Sequence, residues 1–134
     1  MDLVQSYSST IGAMAALAVL LFCQVLVADL IGIRSKHIPG TTVQPDHSNL
    51  LFRASRTVAN TNESVAIFIL AVFFCMLSGA AASSTAYAAW AFVVARLLFA
   101  TCYYANWQLP RSVMFGLSLI ALAALLIIGS SAWL

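Results

Sequence analysis

The sequence contains four apolar stretches that are each long enough to cross a lipid bilayer. They cover residues 10–33, 56–79, 83–106 and 110–133. A helix needs about 20 apolar residues to span the hydrocarbon core, at a rise of about 1.5 Å per residue. Only 7% of the 134 residues are charged, against roughly a quarter in ordinary soluble domains. We therefore predict an all-α integral membrane protein in which one four-helix bundle forms a single domain over residues 1–134.

The basic residues predict the orientation of the bundle. Arg34, Lys36, Arg53 and Arg56 flank the first connection, and Arg111 borders the third. The positive-inside rule therefore places the first and third connections in the cytoplasm and both termini on the opposite side. The N-terminal apolar run follows no basic region and is longer than a signal-peptide core, so we expect it to be retained as the first helix.

The cysteines and the net charge exclude several classes of function. Cys23, Cys75 and Cys102 are odd in number, and each lies inside a predicted span. This pattern indicates small apolar side chains and predicts neither a disulfide framework nor a metal site. The net charge of +2 is too small and too local for nucleic-acid binding.

A polar stripe enters the membrane on the second span. Arg56, Asn60 and Glu63 follow one another at i, i+4 and i+7 and therefore lie on one helix face, with Arg53 beside them. Arg96 is a lone charge on the third span, at about the depth of Glu63. Because an isolated charge at that depth costs several kcal/mol, we predict an ion pair between Glu63 and Arg96.

The third and fourth spans add polar groups at the same end of the bundle. Arg96, Phe99 and Tyr103 share a helix face, which turns Tyr103 toward the second span. Arg111 and Ser112 follow Pro110 in a first helical turn, where free N–H groups and the helix dipole favour an anion. We therefore expect a cytoplasm-facing cavity for a small anionic molecule between the last three spans. Its expected mouth consists of Arg53, Arg56, Tyr103, Arg111 and Ser112, and its expected floor of Asn60, Glu63 and Arg96.

Structural interpretations of these charges stay open at this point. Arg53 and Arg56 also fit a role as anchors that extend to the lipid head groups. The pair of Glu63 and Arg96 also fits a purely architectural role that fixes helix register.

Other polar and aromatic residues favour a structural interpretation. Tyr104 and Trp107 fit an interfacial aromatic belt. Asp29, His37 and His47 have no partner at a spacing typical of a site, and we interpret them as helix-end or loop residues.

Taken in order, these residues resemble the MAPEG family, the membrane-associated proteins in eicosanoid and glutathione metabolism. The family includes microsomal glutathione transferases and the leukotriene and prostaglandin E synthases. The resemblance covers nearly the whole chain. Its residues are Arg56, Asn60 and Glu63, then Ala95 and Arg96, then Tyr103, and finally Arg111 and Ser112.

The resemblance implies a homotrimer that holds glutathione as co-substrate at each subunit boundary, without a metal. It implies that Arg111 stabilises the glutathione thiolate and that the neighbouring Ser112 assists. Arg34 is expected to reach the ligand from the adjacent subunit, and Arg96 is expected to be the family's intramembrane arginine. The implied glutathione-binding residues are Arg34, Arg56, Asn60, Glu63 and Tyr103.

Two positions depart from the pattern of the eicosanoid-synthesising members. Phe99 stands where those members tend to carry Tyr or His, and Ser64 follows Glu63 where some carry an aromatic residue. These departures favour a bacterial protein similar to microsomal glutathione transferases, in the inner membrane, with a role in detoxification.

The expected function is attack by a glutathione thiolate on a lipophilic electrophile or hydroperoxide. One alternative is a small proton-coupled multidrug exporter that uses Glu63, although Arg56 and Arg96 disfavour a site for cations. A second alternative is a non-catalytic scaffold that binds glutathione or lipid.

Overall fold

The computed structural model describes residues 2–134, and every regular element in this range is a helix. The elements are α1 (Leu3–Ser6), α2 (Ser8–Arg34), α3 (Leu50–Leu77), α4 (Ala82–Tyr104) and α5 (Gln108–Trp133). The four long helices are each long and apolar enough to cross a membrane. The predicted four-helix membrane bundle is therefore confirmed.

All four long helices begin earlier than the hydropathy pattern predicts, α2 by two residues and α4 by one. Helix α3 begins at Leu50 instead of residue 56, because Oδ1 of Asn49 accepts a hydrogen bond from the Leu51 N–H at 2.9 Å and caps the helix. Helix α5 begins at Gln108 instead of residue 110. Arg53 consequently lies on a helix, and Arg111 lies one full turn inside α5.

Helices α2, α3 and α4 end in the same way, with one residue in the left-handed region. These residues are Lys36 (φ 53°), Gly79 (φ 72°) and Asn106 (φ 60°). The N–H of the next residue then donates to a carbonyl five residues earlier, which is the Schellman arrangement. The three bonds join His37 to Gly32 at 3.0 Å, Ala80 to Cys75 at 3.0 Å and Trp107 to Cys102 at 2.9 Å. These sharp ends make α3, α4 and α5 consecutive antiparallel neighbours.

Helices α3 and α4 form the centre of the bundle, and each contacts both α2 and α5. The rings of Phe68 and Phe92 stack at 4.7 Å between the two central helices. On the other side, α5 approaches α3 so closely that a Cβ at Gly129 would lie 2.6 Å from the Phe74 ring. Small residues thus permit the close helix contacts that the sequence indicates.

The outer surface of the bundle is apolar. Leu70, Ile120 and Ile127 are among the many large aliphatic side chains that stay exposed. A surface of this kind suits lipid rather than water, and the protein is an integral, multi-pass membrane protein. We call the end that carries residues 35–49 and 105–107 the loop end.

Candidate functional site

A cleft of about 220 Å³ opens at the loop end, between α3, α4 and α5. This is where the sequence predicts a polar cavity, but two of the six lining residues are phenylalanines. We call it the Arg111 cleft. It is lined by Asn60, Phe99, Tyr103, Arg111, Ser112 and Phe115.

The short turn between α4 and α5 brings Arg111 onto Tyr103. Helix α4 ends at Tyr104 and α5 begins at Gln108, so Arg111 returns one turn later over the last turn of α4. The Cζ atom of Arg111 lies 4.4 Å from the centroid of the Tyr103 ring, within the range of a cation–π contact. The Nη1 atom of Arg111 is buried and has no hydrogen-bond partner within residues 2–134. Because the side chain of Arg111 also lines the cleft, its guanidinium is the cationic donor of the cleft, and an anionic ligand reaches Nη1 once the side chain moves.

The backbone at the start of α5 differs from the expectation. The Arg111 N–H already donates to the Trp107 carbonyl at 3.1 Å, because the helix begins at Gln108. The Ser112 hydroxyl likewise donates to the Gln108 carbonyl at 3.1 Å. The prediction that Arg111 offers a free first-turn N–H is wrong, and the anion-binding capacity at this position lies in its guanidinium.

Arg96 lies behind the cleft and is 0% exposed. Its Nη2 donates to Oδ1 of Asn60 at 2.8 Å and to Oγ1 of Thr61 at 3.1 Å. Its Cζ lies 4.3 Å from the centroid of the Phe99 ring. The Nε and Nη1 atoms have no hydrogen-bond partner among the described residues.

The prediction of an ion pair between Glu63 and Arg96 is wrong within one chain, because Arg96 bonds Asn60 and Thr61 instead. The face of α3 that packs inward carries Thr57, Thr61 and Ser64, all buried, whereas Glu63 is exposed. At 100° per residue, Glu63 lies about 60° around the helix from Asn60 and about 160° from Thr61. The guanidinium therefore meets an amide and a hydroxyl instead of the carboxylate.

The remaining predicted ligand residues do not line the Arg111 cleft. Arg34 is exposed at the end of α2, and Arg56 and Glu63 are exposed on α3. Asn60 and Tyr103 do line the cleft. One chain thus assembles only part of the predicted site.

The family model of the MAPEG family matches residues 10–130, nearly the whole chain. The chain belongs to the MAPEG family. No curated protein matches it significantly. Membership suggests a membrane function related to glutathione or eicosanoid metabolism, in a family that includes glutathione transferases and also members without enzymatic activity.

In this MAPEG protein, Arg53 holds the long connection instead of lining the mouth of the cleft. Its Nη1 donates to the carbonyl of His47 at 2.6 Å and to the carbonyl of Ser48 at 2.9 Å. The His47 ring in turn lies 6.1 Å from the Tyr103 ring, centroid to centroid. The connection therefore reaches the edge of the cleft through His47.

A tight turn precedes α3 in the same connection. The hydroxyl and the backbone N–H of Ser48 both donate to the carboxylate of Asp46, at 2.6 and 2.8 Å. These hydrogen bonds hold the pKa of Asp46 below its ordinary value, and the bond from the Ser48 hydroxyl has the larger effect. The charged carboxylate thus supports the turn on which His47 lies.

Sequence reasoning missed three residues around this MAPEG site. Phe115 lies four residues after Arg111 on α5, so helical spacing places both on one face and could have indicated Phe115. No sequence pattern could have indicated Thr61, because its role depends on how α3 is rotated against α4. No pattern could have indicated His47 either, because it lies in an irregular segment without periodicity.

Proposed function

We propose that this MAPEG protein is a membrane-embedded, glutathione-dependent transferase or peroxidase. It holds glutathione as the thiolate for attack on a lipophilic electrophile or hydroperoxide dissolved in the bilayer. The observation that carries this proposal is the Arg111 guanidinium, which lines the cleft over Tyr103 and whose buried Nη1 has no partner in the described part of the chain.

The residues of the cleft fit the thiol end of glutathione. A cleft of about 220 Å³ is smaller than typical small-molecule sites of about 300–1,000 Å³, so it encloses only part of a tripeptide. Its polar groups are an amide, a phenol, a hydroxyl and a guanidinium. This set contains one cation and no carboxylate, which favours an anionic group such as a thiolate.

The exposed charges on α2 and α3 suit the two ends of the tripeptide. Arg34 and Arg56 match carboxylates, and Glu63 matches an ammonium group. All three are exposed in the single chain, so a neighbouring copy has to cover them to enclose the ligand. This supports the proposal of a homotrimer with sites at its subunit boundaries.

Arg111 has to supply a modest free energy. A thiol with a pKa near 8.5 is about 3% thiolate at pH 7, and a lowering by two units makes it about three-quarters thiolate. That change corresponds to about 2.7 kcal/mol. A charge-assisted hydrogen bond from Arg111 in a partly dry cleft is of this order. Ser112 can assist only after its hydroxyl leaves the Gln108 carbonyl.

Two phenylalanines give the second substrate an apolar approach. The rings of Phe99 and Phe115 lie 6.3 Å apart, centroid to centroid, on the wall of the cleft beside Arg111. They have no polar atom that would bind a polar head group. They therefore favour a lipophilic electrophile that enters from the membrane.

The test is glutathione binding by calorimetry to the purified protein in detergent, with the ultraviolet thiolate band recorded on the same sample. The variant Arg111→Ala should still bind but lose the thiolate band. The matched control is Lys36→Gln, which removes another positive charge at the loop end outside the cleft. Absence of binding to the wild type, or an unchanged thiolate band in Arg111→Ala, would overturn the proposal.

A further inference from the structure

The last residues of the long connection form a tight turn beside the Arg111 cleft. The Asp46 side chain accepts two hydrogen bonds from Ser48, and the Asn49 N–H donates to the Asp46 carbonyl at 3.0 Å. Asn49 then caps α3. The segment 46–49 is therefore held by its own hydrogen bonds at the start of α3.

Arg53 joins this turn to α3 a second time. One guanidinium nitrogen donates to two successive carbonyls, those of His47 and Ser48. Phe52 meets the His47 ring edge-on, with 5.1 Å between the ring centroids. The hydrogen bonds fix the backbone at His47, and the Phe52 ring packs against its imidazole, even though His47 is exposed.

Tyr103 is the residue that His47 reaches on α4. The Tyr103 ring makes one cation–π contact and two ring–ring contacts among the described residues: the Arg111 guanidinium at 4.4 Å, the Phe99 ring edge-on at 5.4 Å and the His47 ring at 6.1 Å. Tyr103 is only 8% exposed. Arg111 and Phe99 contact it from α5 and α4, so His47 is the neighbour that comes from the long connection.

We propose that His47 is a positioning residue for the Arg111 cleft. It holds the Tyr103 ring in place under the Arg111 guanidinium. A part of the chain that contributes no lining residue thereby determines where the cationic donor of the cleft lies. The link runs from Arg53 through the turn to His47, and from there through Tyr103 to Arg111.

The first test needs no ligand. Hydrogen exchange of the segment that joins Tyr103 to Arg111 is measured in the full-length protein in detergent. His47→Ala should accelerate this exchange about threefold or more, since opening free energy reports local contacts. His47→Phe keeps an aromatic ring and should restore the wild-type rate. His37→Ala is the matched control, because His37 lies in the same connection and its ring bonds to Thr41 instead.

The second test rests on the proposed function, because it records the thiol pKa of bound glutathione. His47→Ala should raise that pKa by about half a unit, a roughly threefold loss of thiolate at a fixed pH below it. His47→Phe should return it to the wild-type value. In a Tyr103→Leu background, His47→Ala should have no further effect, since its influence passes through that ring.

The outcomes separate the two proposals. If wild-type protein binds no glutathione, the proposed function fails, and the exchange rates still decide the role of His47. If His47→Ala matches the wild type in both measurements, the positioning role is overturned. A thiol pKa that His47→Phe does not restore would also overturn it, because the imidazole would then act on the ligand directly.

Discussion

Asn60 on α3 accepts a hydrogen bond from the fully buried Arg96 on α4 at 2.8 Å, and the same side chain lines the Arg111 cleft. A single amide thus joins the interior charge to the candidate site. Since the two other nitrogens of Arg96 have no partner among residues 2–134, this contact is one of the few that stabilise the guanidinium inside the bundle.

Asn60→Ala should therefore destabilise the protein by about 1.5–3 kcal/mol, the usual worth of a hydrogen bond to a charged group. The measurement is thermal unfolding in detergent. Asn62→Ala is the matched control, because Asn62 is exposed on the same helix. Equal stability of the two variants would show that the bond from Arg96 contributes nothing.

Arg111→Lys tests whether the planar guanidinium matters beyond its charge. Lysine keeps the positive charge but loses the flat contact with Tyr103 and the fork of donors. We expect turnover with a lipophilic electrophile to fall about tenfold or more, with a smaller change in glutathione affinity, since a lost transition-state interaction lowers kcat before it raises KM. Steady-state kinetics with both substrates varied makes the comparison. Wild-type kcat in this variant would refute the role of the guanidinium geometry.

Two glycines on α5 should respond in opposite ways to the same substitution. Gly129→Ala places a methyl group 2.6 Å from the Phe74 ring, whereas a methyl group at Gly116 would have no described atom within 4 Å apart from its chain neighbours and its own helix backbone. We expect Gly129→Ala to cost about 1–3 kcal/mol through overpacking. Gly116→Ala should be neutral or stabilising by up to about 1 kcal/mol, because alanine favours helix. The measurement is thermal unfolding of both variants. A similar shift of the unfolding temperature in the two would contradict the close approach of α5 to α3.

The turn at Asp46 should open in acid. Because the pKa of Asp46 is lowered by its bonds to Ser48, its contribution to folding is present at neutral pH and is lost as the pH falls through the lowered value. The measurement is an NMR titration that follows the Ser48 N–H in the full-length protein. Asp46→Asn should abolish the acid transition of that signal. A transition that persists in this variant would assign it to another group.

The early start of α5 shows that hydropathy locates the membrane spans but not the exact ends of the helices. Apolar run length locates the spans, because the cost of exposing a polar backbone to lipid determines where helices must lie. It does not locate caps, so the predicted start at residue 110 was late and left Arg111 with a free N–H that it does not have. The contact of Arg111 with Tyr103 was partly predictable, because only a short turn separates the two helices.

Glu63 and Arg96 show why sequence spacing cannot predict which residues on different helices are in contact. The prediction that they lie at about the same depth followed from counting residues along each span. Their contact depended on the rotation of α3 about its axis, which the packing of Thr57, Thr61 and Ser64 against the bundle decides. The carboxylate of Glu63 and the amide of Asn60 are separated by a rotation of about 60° and a rise of about 4.5 Å along α3, and this difference decides which of them meets Arg96.

The sequence by itself determined that the chain crosses the membrane four times, which residues are charged at each depth, and that it resembles the MAPEG family. These follow from run length, periodicity and spacing along one chain. Tertiary structure decided that Arg96 meets Asn60 and Thr61, that phenylalanines line the Arg111 cleft, and that His47 reaches Tyr103. The physical reason is that side-chain contacts between elements depend on helix rotation and on the path of an irregular connection, and neither leaves a periodic signal in the sequence.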